Sequence, residues 1–238
     1  MASVRVAEIL ADVWAASPDG SALPAGLVHG AARSLPVSGV GLALMTERGP
    51  AGTVAATDVP ALRLEDLQFT LGEGPCVDAS RSGRPVLQPD LAATAPRRWP
   101  GFAGGALAAG VAAVFAFPLR VGAIRVGVLD LYRAAPGALS AQALREALSF
   151  ADAATLLLLY LQTRAPGDEL APEALAVLDD RAEVHQATGV VSVQAGVRVA
   201  EALVMLRARA YADQRPVGDV AHDVLAGTVD FTSGPDDR

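Results

Sequence analysis

VAAVFAFPLR, residues 111–120, and AIRVGVLDLYR, residues 123–133, decide the fold of this chain. Both are rich in β-branched and aromatic side chains, and only Val121 and Gly122 separate them, so they read as two strands around a tight turn. Upstream, VSGVGLALM (37–45) and AGTVAAT (51–57) flank ERGP and read as a second hairpin, and PVLQ (85–88) supplies a shorter strand. Segments around 76–82 and 98–109 look helical. Between an amphipathic first helix, MASVRVAEILADVW, and the first hairpin lies a stretch that reads as a Gly/Pro-containing loop. Antiparallel strand pairs with helices packed on them predict an α+β domain.

The composition agrees with folded domains. With 238 residues, 52% hydrophobic and 19% charged, the chain has material for two globular units and is not a disordered polymer. A single cysteine excludes an intrachain disulfide, which suits a reducing compartment, and the first helix lacks the features of an export signal, so a cytoplasmic location is expected. Trp99 to Leu119 carries no charge and has bilayer length. Its Pro100, Gly101, Gly104, Gly105, Gly110 and Pro118 fit better with a short helix ending near Gly110 and a strand beginning at Val111, so no membrane partner is expected.

A long helix over Ser140–Arg164 closes the α+β domain. Leu144, Ala147, Ala151, Ala154, Leu158 and Leu161 recur at spacings of three and four, the seam of a paired helix. Dimerisation or burial against its own domain would both explain it, and the all-round apolar LLLLY turn favours the dimer. APGDELAP (165–172) then reads as a boundary. The expected organisation is a domain over 1–165, a linker over 166–172, a helical domain over 173–231 and a tail over 232–238. In the helical domain, helices read at about Glu173–Ala195, Val199–Gln214 and Pro216–Leu225, the last with Val217, Val220, Ala221, Val224 and Leu225 on one face.

Within the first of these helices, RAEVHQATGVVSVQAG (181–196) places Val184, Ala187, Val190 and Val191 on one face and His185, Gly189, Ser192 and Gly196 on the other. Glycine inside a helix costs roughly 1 kcal/mol relative to alanine. Either a neighbouring helix or a ligand that approaches the backbone closely would account for it.

This stretch, followed by VRVAEALVMLRARAYADQRPVGDVAHDVL, resembles the ANTAR domain, the RNA-binding output module of transcription antitermination regulators. The resemblance spans about Glu173 to Phe231 and rests on an ordered set that includes Arg181, Gln186, Ala187, Gly189, Gly196, Glu201, Ala202, Leu206, Arg207, Ala210, Pro216, Val220 and Ala221. LGEGPCVDASRSGRPVLQPDL, RRWPGFAGGALAAGVAAVFAFPLR and GVLDLYR are similar to a GAF domain of the kind joined to ANTAR domains. The resemblance therefore implies a sensory α+β GAF domain, antiparallel sheet with flanking helices, followed by an all-α three-helix ANTAR domain. It also implies a homodimer that recognises the loops of paired hairpins in nascent mRNA, with an unidentified small molecule as an optional GAF ligand.

The residues expected to meet RNA are His185, Gln186, Thr188, Gly189, Ser192, Arg198, Arg207, Arg209, Tyr211 and Arg215. Arg207 and Tyr211 are four apart and project together, while Arg209 and Arg215 are candidate phosphate contacts. Thr188 stands where the family often has lysine. Arg198 occupies the N-cap position before Glu201, where the family commonly has serine or threonine, so a broken capping box is expected, with the arginine facing RNA. From 172 to 238 there are six arginines against eleven acids, a net of −5, and over 181–222 five against four, or +1. Binding should therefore rely on loop shape and stacking more than on bulk charge. The same acidity favours an alternative in which the helical domain binds a protein partner of a small-molecule or redox sensor.

No catalytic constellation emerges, and no enzyme is expected. Cys76 reads as a buried small hydrophobe, and His29, His185 and His222 are too scattered for a metal site. Glu73 and Asp78 read as solvated or capping acids rather than a catalytic pair, LGEG is too poor in glycine for a phosphate loop, and no cofactor is expected.

Overall fold

The computed structural model describes residues 2–46, 49–163, 172–213 and 215–232. They fall into two compact units, Met1–Ala174 and Leu175–Arg238. Apart from Pro172, the expected linker lies outside the described residues, as do Glu47 and Arg48 of the first hairpin turn and all of the tail except Thr232.

The first unit runs α1 (Ala2–Ala16), α2 (Leu23–Ser34), β1 (Gly39–Thr46), β2 (Gly49–Ala56), α3 (Val59–Leu71), α4 (Pro75–Ser82), β3 (Val86–Gln88), α5 (Leu91–Arg98), α6 (Pro100–Ala108), β4 (Ala113–Val121), β5 (Ile124–Arg133) and α7 (Ala141–Thr163). Its five strands pair antiparallel in the order β2-β1-β5-β4-β3. The β4–β5 hairpin lies inside the sheet, and its residues alternate between two cores. Phe115, Phe117, Leu119, Leu129 and Leu131 pack with α1, α2 and α7, while Val114, Ala116, Val128 and Tyr132 pack with α3 to α6. Covering both faces explains why the hairpin is apolar almost throughout instead of alternating with polar residues.

The stretch expected to be a loop after α1 contains α2. Gly26 and Gly30 weaken its helical signal, but Leu23, Leu27, Val28 and Ala31 are buried, and that packing outweighs the propensity. Likewise α3 carries no strong sequence period, and it forms, with the short α5, against the second core. The apolar run 99–119 divides into α6 and β4, with the strand starting at Ala113 rather than Val111. Among the described residues, no single helix is long and apolar enough to cross a membrane.

The seam of α7 is spent within its own domain. Ala147, Ala151, Ala154 and Leu158 are buried against the sheet, and Leu144 and Leu161 pack at the edge of the same core. Outward, α7 presents Leu148, Leu156 and Tyr160, whose ring meets Trp14 of α1 edge to face at 5.3 Å.

The second unit holds α8 (Pro172–Ala195), which begins just before it, α9 (Val199–Ala212) and α10 (Val217–Leu225). Val184, Ala187, Val191, Ala202, Leu206, Ala210, Val217, Val220, Ala221 and Val224 are buried. Leu225, expected in this core, is exposed at the end of α10. The chain turns by 104° between α8 and α9. Gly196 makes that corner with φ of 65°, in the left-handed region, and the Val197 N–H bonds back to the Ser192 carbonyl at 3.1 Å. Gly196 is thus a helix-ending glycine rather than part of a helical stripe, and its lack of Cβ serves the backbone.

Candidate functional site

The outward side of α8 carries His185, Gln186 and Gly189, all exposed, and Val193, which is 83% exposed. A Cβ built on Gly189 meets nothing within 4 Å, so no neighbouring helix of the described residues explains this glycine. Ser192 is half-buried and donates its hydroxyl to the Val197 carbonyl at 2.6 Å, which ties it to the corner.

Thr188 departs from the expectation. It is 2% exposed and donates its hydroxyl to the Val184 carbonyl at 2.6 Å, one turn back. Positions 184, 188 and 191 share the core face of the helix, so its side chain cannot reach a surface ligand in this arrangement.

On α9, Arg207 and Tyr211 are on one side together with Val204; Tyr211 is 62% and Val204 63% exposed. The sequence reading overlooked Val193 and Val204, although Val193 lies four residues beyond Gly189 on the same stripe. Arg198 does stand at the N-cap of α9, where it has no acceptor to offer the helix. The capping box is nevertheless only half lost: Glu201 Oε2 accepts the Arg198 backbone N–H at 3.3 Å, and the same carboxylate binds the Arg198 guanidinium. These hydrogen bonds hold the Glu201 carboxyl below its ordinary pKa. The two expected phosphate contacts are also paired with acids, Arg209 with Asp213 at 2.6 Å and Arg215 with Asp223 at 2.8 Å.

In the first unit, the LGEGPC stretch is a structural device. Gly72 ends α3 with φ of 65°, and Gly74, with φ of 131°, starts α4 where a Cβ would meet Gln68 Oε1 at 2.7 Å. That opening lets Gln68 serve two partners. Its Oε1 accepts the Cys76 N–H at 2.7 Å, and its Nε2 donates to Asp130 Oδ2 at 3.0 Å. Glu65 lies in the same buried region, in space that a side chain at Gly41 would fill. Burial pushes the Asp130 carboxyl up to about 6, against the pull of Glu65, Gln68 and Cys76. Burial likewise pushes the Cys76 thiol well up, with Asp130 and Glu65 adding to it.

Glu73 caps α6 by accepting the Gly101 and Phe102 N–H groups at 2.7 and 2.8 Å. Asp78 holds Arg98 and the Trp99 indole at 3.0 and 3.1 Å. The two acids are therefore engaged in separate structural roles. The buried meeting of Glu65, Gln68 and Asp130 had no local signal, since Asp130 is 62 residues from Gln68.

The family model of the GAF domain matches residues 25–158, and that of the ANTAR domain matches residues 173–225. The chain is a GAF–ANTAR protein. The GAF domain from an Acinetobacter phosphoenolpyruvate-protein phosphotransferase has a similar structure, with 15% identity, a TM-score of 0.51, and coverage of 68% of this chain and 95% of that one. The GAF domain of the Coxiella burnetii phosphoenolpyruvate-protein phosphotransferase follows at 12% identity, a TM-score of 0.50, and coverage of 68% and 94%. At these identities they establish the GAF fold alone. No curated protein matches the chain. GAF domains are sensors and ANTAR domains are RNA-binding antitermination modules, both generally non-catalytic, so the GAF–ANTAR chain has the architecture of a transcription regulator.

Proposed function

We propose that this GAF–ANTAR protein is a dimeric antiterminator that binds the loops of paired hairpins in nascent mRNA under the control of its GAF domain. The observation that carries this reading is the open surface of the ANTAR unit, where Gly189 and Val193 on α8, and Val204 and Tyr211 beside Arg207 on α9, expose small, apolar and aromatic groups. Unstacked loop bases need such surfaces, because they stack on aromatic or guanidinium planes and approach most closely where no Cβ intervenes. His185 and Gln186 supply polar contacts along the same helix, and Arg198, Arg209 and Arg215 meet phosphates by exchanging their acidic partners. Exposed ion pairs contribute only about 0–1 kcal/mol, so the exchange costs little. With a balance of only +1 over 181–222, affinity falls shallowly with salt.

The dimer contributes by making the second hairpin contact intramolecular. Because the α7 seam is buried, the surface for a second copy is the outer face of α7, with Leu148, Leu156 and Tyr160, together with Trp14. A ligand or partner of the GAF domain that shifts this pairing changes whether two ANTAR units reach two hairpins together.

A second reading, a helical domain that binds protein, is favoured by the acid pairing of Arg198, Arg209 and Arg215. A gel-shift titration separates the two. The full chain is mixed with RNAs carrying two short hairpins, one hairpin, or two hairpins with scrambled loops. Selective binding of the double hairpin that is lost in Tyr211→Ala supports the RNA reading. Equal affinity for all three RNAs, or no binding, refutes it.

A further inference from the structure

Glu65, Cys76 and Asp130 place a carboxylate oxygen, a thiol sulfur and a second carboxylate oxygen within 4.8 Å of one another, each residue buried. The donors come from three elements, α3, α4 and β5, and the surrounding residues are built around them. Gln68 holds two of the three, through the Asp130 carboxylate and the Cys76 backbone. Outer hydrogen-bond partners of this type orient metal ligands and set their basicity. Asp130 is 1% exposed; Oδ2 is committed to Gln68, and among the described residues the buried Oδ1 meets no amide or guanidinium donor, the other groups on this carboxyl being the acidic Glu65 and Cys76. A buried carboxylate pair of this kind takes up either a proton or a cation.

We propose that Glu65, Cys76 and Asp130 form a site for a divalent cation of the zinc type inside the GAF domain. The donor set selects the ion. Two carboxylate oxygens and one thiolate suit a borderline cation that accepts both, with metal–oxygen distances of about 2.0–2.2 Å and a metal–sulfur distance of about 2.3 Å. A small inward movement of donors already within 4.8 Å reaches those distances. Without a metal, a proton shared between the two carboxyls and the Cys76 thiol donating to Asp130 hold the cluster together; a zinc ion engages all three groups directly and displaces those protons. Ligation by Cys76 therefore reverses the effect of its burial, which opposes thiolate formation in the metal-free site. The inference concerns the sensor domain and stands whether or not the ANTAR unit binds RNA.

The test uses the full chain, expressed with zinc supplementation because a site this buried fills as the domain folds, then buffer-exchanged and analysed by elemental mass spectrometry. Roughly one zinc per chain is expected. A parallel preparation grown with cobalt should show a sulfur-to-cobalt charge-transfer band, which Cys76, the chain's single cysteine, accounts for. Cys76→Ser should lose that band, and Gln68→Ala should weaken metal retention about 10–100-fold. Wild-type protein that emerges without stoichiometric metal from both preparations overturns the proposal, leaving the shared proton as the state of the cluster. Cobalt bound without a sulfur band overturns it as well, and neither of these results depends on a variant folding.

Discussion

Two glycines of the ANTAR domain should respond to the same substitution with opposite signs. Gly189 is helical and exposed, and a Cβ there meets nothing within 4 Å. Gly189→Ala therefore gains the full helix-propensity difference, about 0.8–1.0 kcal/mol, and should stabilise α8. At Gly196 a Cβ also finds open space, but the φ of 65° lies in the left-handed region, which costs a residue with Cβ about 1–2 kcal/mol. Gly196→Ala should destabilise the α8–α9 corner by that amount. Hydrogen exchange followed by mass spectrometry on the full chain reads both, because amide protection scales with the opening free energy. Protection across 184–195 should rise about 4- to 5-fold in the first variant and fall about 5- to 30-fold in the second. The stabilised Gly189→Ala protein should also lose affinity for double-hairpin RNA, since the methyl occupies the space left for the loop. Failure of Gly189→Ala to raise protection would refute the open helical surface. Increased protection with undiminished RNA affinity would refute the idea that this glycine exists for close approach.

Other perturbations test separate parts of the argument. Gln68→Leu strips Asp130 Oδ2 and the Cys76 N–H of their partner inside the core, and should cost more than about 2 kcal/mol of GAF stability in a denaturant titration followed by near-ultraviolet circular dichroism. Tyr132 donates its hydroxyl to Asp58 at 2.9 Å, and burial, then that bond, raise its pKa above the ordinary value. Its contribution to stability is thus fully present below the unfolded tyrosine pKa of about 10 and is lost as pH rises above it. Tyr132→Phe should be about 1 kcal/mol less stable at neutral pH and should show a smaller loss between neutral and strongly alkaline solution. Leu156→Glu charges the outer face of α7 without touching the core and should shift the full chain from dimer to monomer in sedimentation velocity. An unchanged dimer would move the interface away from α7.

Much of this arrangement was legible in local pattern. The β4 and β5 strands announce themselves by β-branched and aromatic content and a two-residue turn, and α10 by its period. The outward row His185, Gly189, Val193 follows from a 100° rotation per residue, and the same rotation places Thr188 inward, where likeness to the family had set it among the RNA contacts. Gly196 lies one residue past the end of α8, so helical spacing places it on a surface stripe that its left-handed backbone has already left. The α2 segment escaped notice since its glycines lower a propensity that packing of Leu27 and Val28 restores.

By itself the sequence determined the two strand hairpins, the two modules and the outward face of α8, because these depend on patterns within a few turns of chain. Tertiary structure alone decided which partner the α7 seam takes, since a stripe of alanine and leucine fits a sheet as well as a second helix. It also decided that Glu65, Gln68, Cys76 and Asp130 meet in one buried cluster. Bringing β5 against α3 and α4 closes a loop of more than fifty residues, and that cost is met by burial across both faces of the sheet, which no short window of sequence records.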